Sequence, residues 1–167
     1  MRRVVVTGIG VVSALGNNAS DFWAAVSSGR SGIGPITKID TTDLRFKNAA
    51  EVRDFDASQH FDDKSLLWLD PFSHFGIVAA REAVADSRIK FTDALRDRSG
   101  VITGSCLGGK ETEDNLFSDL YGAKKGRFPP TTIPRAMSNA VASHVSMEHG
   151  LTGATFTIST ACSSANH

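Results

Sequence analysis

The chain has 167 residues and a mass of 17.8 kDa, with 18 Lys and Arg balancing 18 Asp and Glu at a formal charge of zero. A compact body of that mass leaves roughly 8,000 Å² exposed and buries about 70% of its unfolded surface, so a core forms without disulfides or metal. At 41% hydrophobic and 22% charged residues, the composition is that of an ordinary soluble globular protein and excludes disordered, collagen-like and membrane-spanning classes.

Charge is balanced along the chain as well: residues 1–60 carry seven basic and six acidic groups, 61–100 six and seven, 101–167 five and five. No basic stripe is available to neutralise phosphates, which argues against a nucleic-acid partner. Cys106 and Cys162 lie far apart and match no metal-ligand spacing, so free thiols in a cytoplasmic protein are expected.

Taken in chain order, Met1-Arg2-Arg3 followed by Val4–Gly16 combines the basic start and apolar run of a signal peptide. Thr7, Gly8, Gly10 and Ser13 interrupt that run, and no small-x-small cleavage pattern comes after it. Arg2–Thr7 is expected instead to be a buried strand running into a turn. Phe22–Val26 falls in a helix capped by Asn18 or Ser20 and stopped by Gly29, and residues 30–60 read as loops and short strands.

The strongest helical signal comes next. Asp70 suits an N-cap and Pro71 a first helical position. Phe72, Phe75, Gly76, Ala79, Ala80, Ala83 and Val84 recur at helical spacing, making one apolar face whose small residues predict close packing. Val101–Thr103 reads as a second buried strand ending in the loop Gly104–Gly109. A polar helix from about Lys110 to Tyr121 is next, then a Gly/Lys/Pro loop, then a helix opened by Pro134 and closed by Gly150. Thr155–Thr160 is a β-branched strand that runs into Ala161-Cys162-Ser163-Ser164. Residues 149–167 hold no Asp, Glu, Lys or Arg, but seven Ser and Thr make them too polar to cross a bilayer. The alternation predicts an α/β fold with a mainly parallel sheet.

Several motifs suggest chemistry that their residues do not support. Gly104-x4-Gly109-Lys110 has the spacing of a phosphate-binding loop, yet Glu111 stands where a metal-binding hydroxyl belongs, and its carboxylate repels phosphates. A glycine-rich turn that allows close backbone approach is the better reading. Gly8-Ile9-Gly10 has only two glycines of a dinucleotide fingerprint, and its helix starts too far downstream. His144 and His149 sit on different sides of a helix and do not make a zinc pair. No metal site and no cofactor are expected.

Cys162 differs from these. It stands just past a strand and before the helix-compatible run Ser163–Asn166, the arrangement of a nucleophile elbow with a thiol in place of a hydroxyl. A helix N-terminus there favours the thiolate, and backbone N–H groups at the turn stabilise an oxyanion. On residue pattern alone an inert buried cysteine stays an equal alternative.

The segment Thr160-Ala-Cys-Ser-Ser-Ala-Asn-His167 resembles the active-site cysteine segment of the β-ketoacyl-[acyl-carrier-protein] synthases, in particular the FabF-like elongating condensing enzymes. Arg3-Val-Val-Val-Thr-Gly-Ile-Gly-Val-Val-Ser13 resembles that family's first strand. Gly29-Arg-Ser-Gly-Ile33, the Gly104–Gly109 loop and His149-Gly-Leu-Thr-Gly153 extend the likeness over the whole chain.

The resemblance implies a thiolase-like layered fold, of which residues 1–167 are the N-terminal part, and a homodimer. It implies acyl transfer from an acyl carrier protein to Cys162, then decarboxylative condensation with the malonyl-loaded carrier in fatty acid or polyketide elongation. Cys162 is then the nucleophile, with its own N–H in the oxyanion hole, and Cys106 and Met137 fall near the acyl pocket. Family members continue well beyond the position of His167, and the His and Lys groups that support decarboxylation lie there, so residues 1–167 alone are expected to be an inactive portion. A second departure is Lys64-Ser-Leu-Leu-Trp-Leu69: relatives carry several basic residues here that meet the acidic carrier, and only Lys64 remains. A competing reading is a non-catalytic, chain-length-setting partner subunit of a condensing-enzyme heterodimer; retention of Cys162 argues against it.

Overall fold

The computed structural model describes residues 3–167. Two compact units make up the chain, one from Met1–Asp56 with Val78–Arg88 and the other from Ala57–Ile77 with Ile89–His167. Among the described residues, no helix is long and apolar enough to cross a membrane.

In the first unit, α1 runs Ala19–Ser27, with Asn18 as cap: its side-chain oxygen accepts the Asp21 N–H at 2.8 Å. Gly29 sits just beyond at φ 71°, the left-handed stop expected of glycine. The short strands β1 (Gly34–Pro35) and β2 (Asn48–Ala49) pair antiparallel. The expected N-terminal strand is not formed. Arg2 lies outside the described residues, and residues 3–7 are unpaired, with Val4, Val5 and Val6 exposed by 91, 61 and 82%.

The two glycines just after those valines make the next contacts. Gly8 and Gly10 run against a helix rather than a strand: a Cβ at Gly8 would stand 2.1 Å from the Ala83 carbonyl oxygen, and one at Gly10 1.8 Å from that of Ala79. Two carboxylates of the same helix accept the backbone here, Asp86 from the Ile9 N–H at 3.0 Å and Glu82 from the Val11 N–H at 2.8 Å. Glycine is obligatory at both contacts.

The second unit opens with a 3-10 turn at Ala57–Gln59 and the one-turn helix α2 (Asp63–Leu66). Helix α3 spans Pro71–Ser87, as the Asp70-Pro71 pair predicts; its start belongs to this unit and Val78–Ser87 to the first. Its small-residue stripe is used for close approach: Gly76 admits Val141, whose Cγ1 would lie 2.6 Å from a Cβ there. Helix α4 (Asp93–Arg96) leads to β3 (Val101–Gly104), and α5 (Lys110–Phe117) continues into a π turn at Ser118–Gly122.

The helix expected from Pro134 to Gly150 is two helices, α6 (Thr132–Ala136) and α7 (Ala140–His149). The chain breaks at Met137, which is extended at φ −60° and ψ 133°. Gly150 closes α7 in the left-handed conformation at φ 64°. Strand β4 is Thr155–Ile158, shorter than the β-branched run suggested, and it pairs parallel with β3 in the register Val101↔Thr155 to Gly104↔Ile158. The Thr103 and Thr157 hydroxyls meet across that pair at 2.7 Å.

Candidate functional site

Parallel pairing delivers the residues after β3 and after β4 to the same edge, and both cysteines lie in those continuations. Cys106 comes after β3 and Cys162 after β4, and the Ser105 N–H donates to the Ile158 carbonyl at 3.1 Å, carrying the ladder one step past β3. Both thiols are free and exposed. Within these residues position 162 is therefore exposed rather than buried.

Ala161, immediately before Cys162, takes φ 50°, a left-handed conformation that strains a residue bearing a Cβ. The turn is closed by the Ser163 N–H on the Thr160 carbonyl at 3.1 Å and the Ser164 N–H on the Ala161 carbonyl at 3.2 Å. The Cys162 amide donates to no acceptor among the described residues. After the elbow comes one 3-10 turn, Ser164–Asn166.

Gly104 lets the end of β3 reach this elbow. A Cβ there would stand 2.4 Å from the Ser164 carbonyl oxygen and 2.6 Å from the Ala165 Cα. On the other side, the Cys106 loop docks on the end of α6. The Gly109 N–H donates to the Ala136 carbonyl at 3.0 Å, Gly108 sits at φ 67°, and Cβ atoms at Gly108 and Gly109 would lie 2.5 and 2.4 Å from the Ala136 and Arg135 oxygens. Each glycine of the false phosphate loop thus has a backbone neighbour that requires it, and Lys110 is ion-paired with Glu113. The same docking places Met137, 39% exposed, directly after the residue that Gly109 holds.

Lys64 stands apart from this cluster. It is exposed on α2, which packs on the Ala57–Gln59 turn and is capped by the Asp62 carboxylate accepting the Ser65 N–H at 2.7 Å. Those bonds to Ser65 hold the Asp62 carboxyl below its usual range. Leu67 and Trp68 beside it are 62 and 49% exposed, whereas Phe61 and Leu69 are buried and anchor the segment.

Residue patterns alone do not reveal a buried polar cluster in the same unit. Asp70, 2% exposed, accepts the Phe72 N–H at 3.2 Å through Oδ1, and through Oδ2 the N–H and hydroxyl of Thr112 at 2.8 and 2.7 Å. His74 stacks at a tilt on Phe61, 5.2 Å between ring centres. Burial pushes its pKa down from 6.5; Asp70 opposes that shift and Arg135 adds to it. His144 is likewise lowered by burial, against the pull of Glu148. His149 lies at the end of α7, its ring against Phe91 and its carbonyl accepting Arg96 Nε at 3.3 Å.

Over residues 1–167 the sequence matches the family described as beta-ketoacyl synthase, N-terminal domain. The chain belongs to this family. It is 39% identical to 3-oxoacyl-[acyl-carrier-protein] synthase 2 of Coxiella burnetii over 166 residues, covering 99% of this chain and 40% of that protein. Among solved structures it is similar to a beta-ketoacyl synthase from Burkholderia phymatum STM815, at a TM-score of 0.82 and 26% identity over 98% of this chain and 41% of that one. The ishigamide ketosynthase/chain length factor matches at a TM-score of 0.77 and 26% identity, over 90% of this chain and 38% of that one. The fold is therefore the thiolase-like α/β arrangement of the ketosynthases. The chain spans about 40% of the length of the curated relatives it matches.

Proposed function

We propose that residues 1–167 are the N-terminal part of a β-ketoacyl-[acyl-carrier-protein] synthase and carry its nucleophile. The Cys162 sulfur attacks the thioester carbonyl carbon of an acyl carrier protein, and the carrier thiol leaves with a proton. The malonyl-loaded carrier then loses carbon dioxide, and the resulting carbanion attacks the acyl-Cys162 thioester, freeing the cysteine. In this reading the protein works in fatty acid or related polyketide elongation, as a cytoplasmic homodimer without cofactor.

One observation carries the reading: an exposed, free cysteine immediately follows a left-handed, non-glycine residue at the end of a parallel strand. Strained strand-to-turn elbows present a nucleophile clear of its own backbone. The unpaired Cys162 amide supports its role as an oxyanion donor, since such a donor has to be reserved for charge that develops in the transition state. Cys106 and Met137, which lie in segments joined by the Gly109–Ala136 bond, are proposed to line the acyl pocket, and Lys64 to meet the carrier. A purely chain-length-setting subunit has no use for a thiol so presented.

Incubating the complete protein with an acyl-loaded carrier and mapping the acylated peptide tests this. The acyl group is expected on Cys162 and absent from Cys162→Ala. Acylation of Cys106 instead, or persistence in Cys162→Ala, overturns it.

A further inference from the structure

The hydroxyl of Ser164 occupies a place in the elbow that no other side chain fills. Ser164 is 6% exposed. Its Oγ accepts the Thr160 N–H at 3.0 Å and donates to the Ala161 carbonyl at 2.6 Å. One hydroxyl therefore ties together the residues on either side of the Thr160–Ala161 peptide link and spans the left-handed residue at φ 50°. Its single proton and one lone pair are both used, so the bonding is directional as well as buried.

The turn is held from outside too. The Ser164 carbonyl oxygen lies where Gly104 alone leaves room, 2.4 Å from the position a Cβ would take. Ser164, whose hydroxyl holds the Ala161 carbonyl, is thus itself held against the end of β3, and a conformation that alanine adopts reluctantly persists only where its surroundings over-determine it. Ser163 offers a contrast on the same turn. It is exposed, and its Oγ bonds the Thr160 carbonyl at 2.8 Å, a contact that water can replace.

We infer that Ser164 is a positioning residue for Cys162: its buried hydroxyl fixes the Ala161 conformation and so aims the thiol and the Cys162 amide together. The inference rests on the proposed role of Cys162 as nucleophile. Without the hydroxyl, the Thr160 N–H loses its partner, the Ala161 peptide is free to rotate toward an ordinary conformation, and the sulfur shifts relative to its own amide. Displacements of about 1 Å at a reacting atom cost roughly a hundredfold in rate.

The test uses the complete protein with Ser164→Ala, Ser164→Thr and Ser163→Ala, an acyl-loaded carrier and iodoacetamide. Ser164→Ala is expected to lower the rate constant of Cys162 acylation roughly 10- to 100-fold at unchanged KM for the carrier. Ser164→Thr, which keeps the hydroxyl, should recover most of that loss, and Ser163→Ala should stay within about twofold of the parent. Alkylation supplies a readout that general loosening does not imitate, because Cys106 in the same molecule is an internal reference. The ratio of Cys162 to Cys106 labelling should change in Ser164→Ala and not in Ser163→Ala. Should Ser164→Ala lose its fold, Ser164→Cys keeps the volume while weakening both bonds, and an intermediate loss of acylation is expected. Parent-like acylation and labelling in a folded Ser164→Ala or Ser164→Cys overturns the inference while leaving the nucleophile in place. Persistence of acylation in Cys162→Ala overturns the nucleophile itself, a separate outcome.

Discussion

Asp70 and Thr112 are joined by two hydrogen bonds, from the Thr112 amide and from its hydroxyl, both to the same carboxylate oxygen at 2.8 and 2.7 Å. The other oxygen of Asp70 takes the Phe72 N–H. One buried carboxylate therefore serves the N-terminal turns of α3 and α5, at each of which free backbone donors need a partner. Neither helix has a better acceptor: the cap residue of α5 is Gly109, which has no side chain to offer.

From this arrangement Thr112→Val should cost about 1–2 kcal/mol, since it removes one donor to a charged acceptor and leaves the amide in place. Asp70→Ala should cost more, roughly 2–4 kcal/mol, because a cap is lost and buried donors are orphaned. Denaturant unfolding of the two single variants and the double variant checks this. The double should be less damaged than the sum of the singles, and strict additivity would show that the pair is not coupled.

A second expectation concerns pH. Burial lowers the pKa of His74 from 6.5, with Arg135 adding to the shift and Asp70 opposing it, and burial lowers that of His144 against Glu148. In both cases the unfolded state binds protons more readily, so stability is full above the unfolded value near 6.5 and declines as pH falls toward the folded values. Thermal unfolding between about pH 7.5 and 5.5 should show Tm falling with pH, and His74→Gln combined with His144→Gln should flatten that slope. An unchanged slope in the double variant would assign the acid sensitivity to other groups.

How far the sequence discloses the fold depends on which force sets each element. Helix α3 is legible because its cap, its first-turn proline and its apolar spacing all agree. The Cys162 elbow is legible because a β-branched strand stops abruptly at a small-residue turn. Three valines at Val4–Val6 announce burial on both faces, which these 167 residues do not supply; what local reading misses is that Gly8 and Gly10 and the carboxylates of Glu82 and Asp86 hold the next stretch of backbone along a helix. The break at Met137 also escapes local reading: α6 ends where the Ala136 carbonyl is taken by the Gly109 N–H, a partner distant in sequence. Ser164 is hidden for the same reason, as one serine of an adjacent pair whose roles differ only through burial.

The glycines separate sharply by neighbour. Gly10→Ala meets backbone at 1.8 Å and should cost about 3 kcal/mol or more, because a carbonyl of α3 cannot step aside. Gly29→Ala meets nothing within 4 Å but keeps φ 71°, so roughly 1–2 kcal/mol is expected from conformation alone. Gly126→Ala, with open space and no left-handed requirement, should be neutral or stabilising by about 0.5 kcal/mol through the unfolded chain. Urea midpoints should be lowest for Gly10→Ala, intermediate for Gly29→Ala and highest for Gly126→Ala, and equal losses would refute the backbone-contact account.

The α2 surface sets a further expectation. Under the proposed function an acyl carrier protein docks near Lys64, where Leu67 and Trp68 are exposed by 62 and 49% and Asp62 and Asp63 leave no net positive charge. An exposed ion pair contributes about 0–1 kcal/mol, so Lys64→Ala should weaken carrier binding by less than about fivefold. Exposed aromatic anchors that become buried at an interface carry more, and Trp68→Ala should weaken binding by about tenfold or more. Because apolar burial is not screened, Kd should also rise only modestly as salt is raised, in contrast to a basic docking surface. Titrating the complete protein with carrier across a salt series, for the parent and both variants, distinguishes the two cases. A steep salt dependence together with a large loss from Lys64→Ala alone would mean that charge, not Trp68, selects the partner.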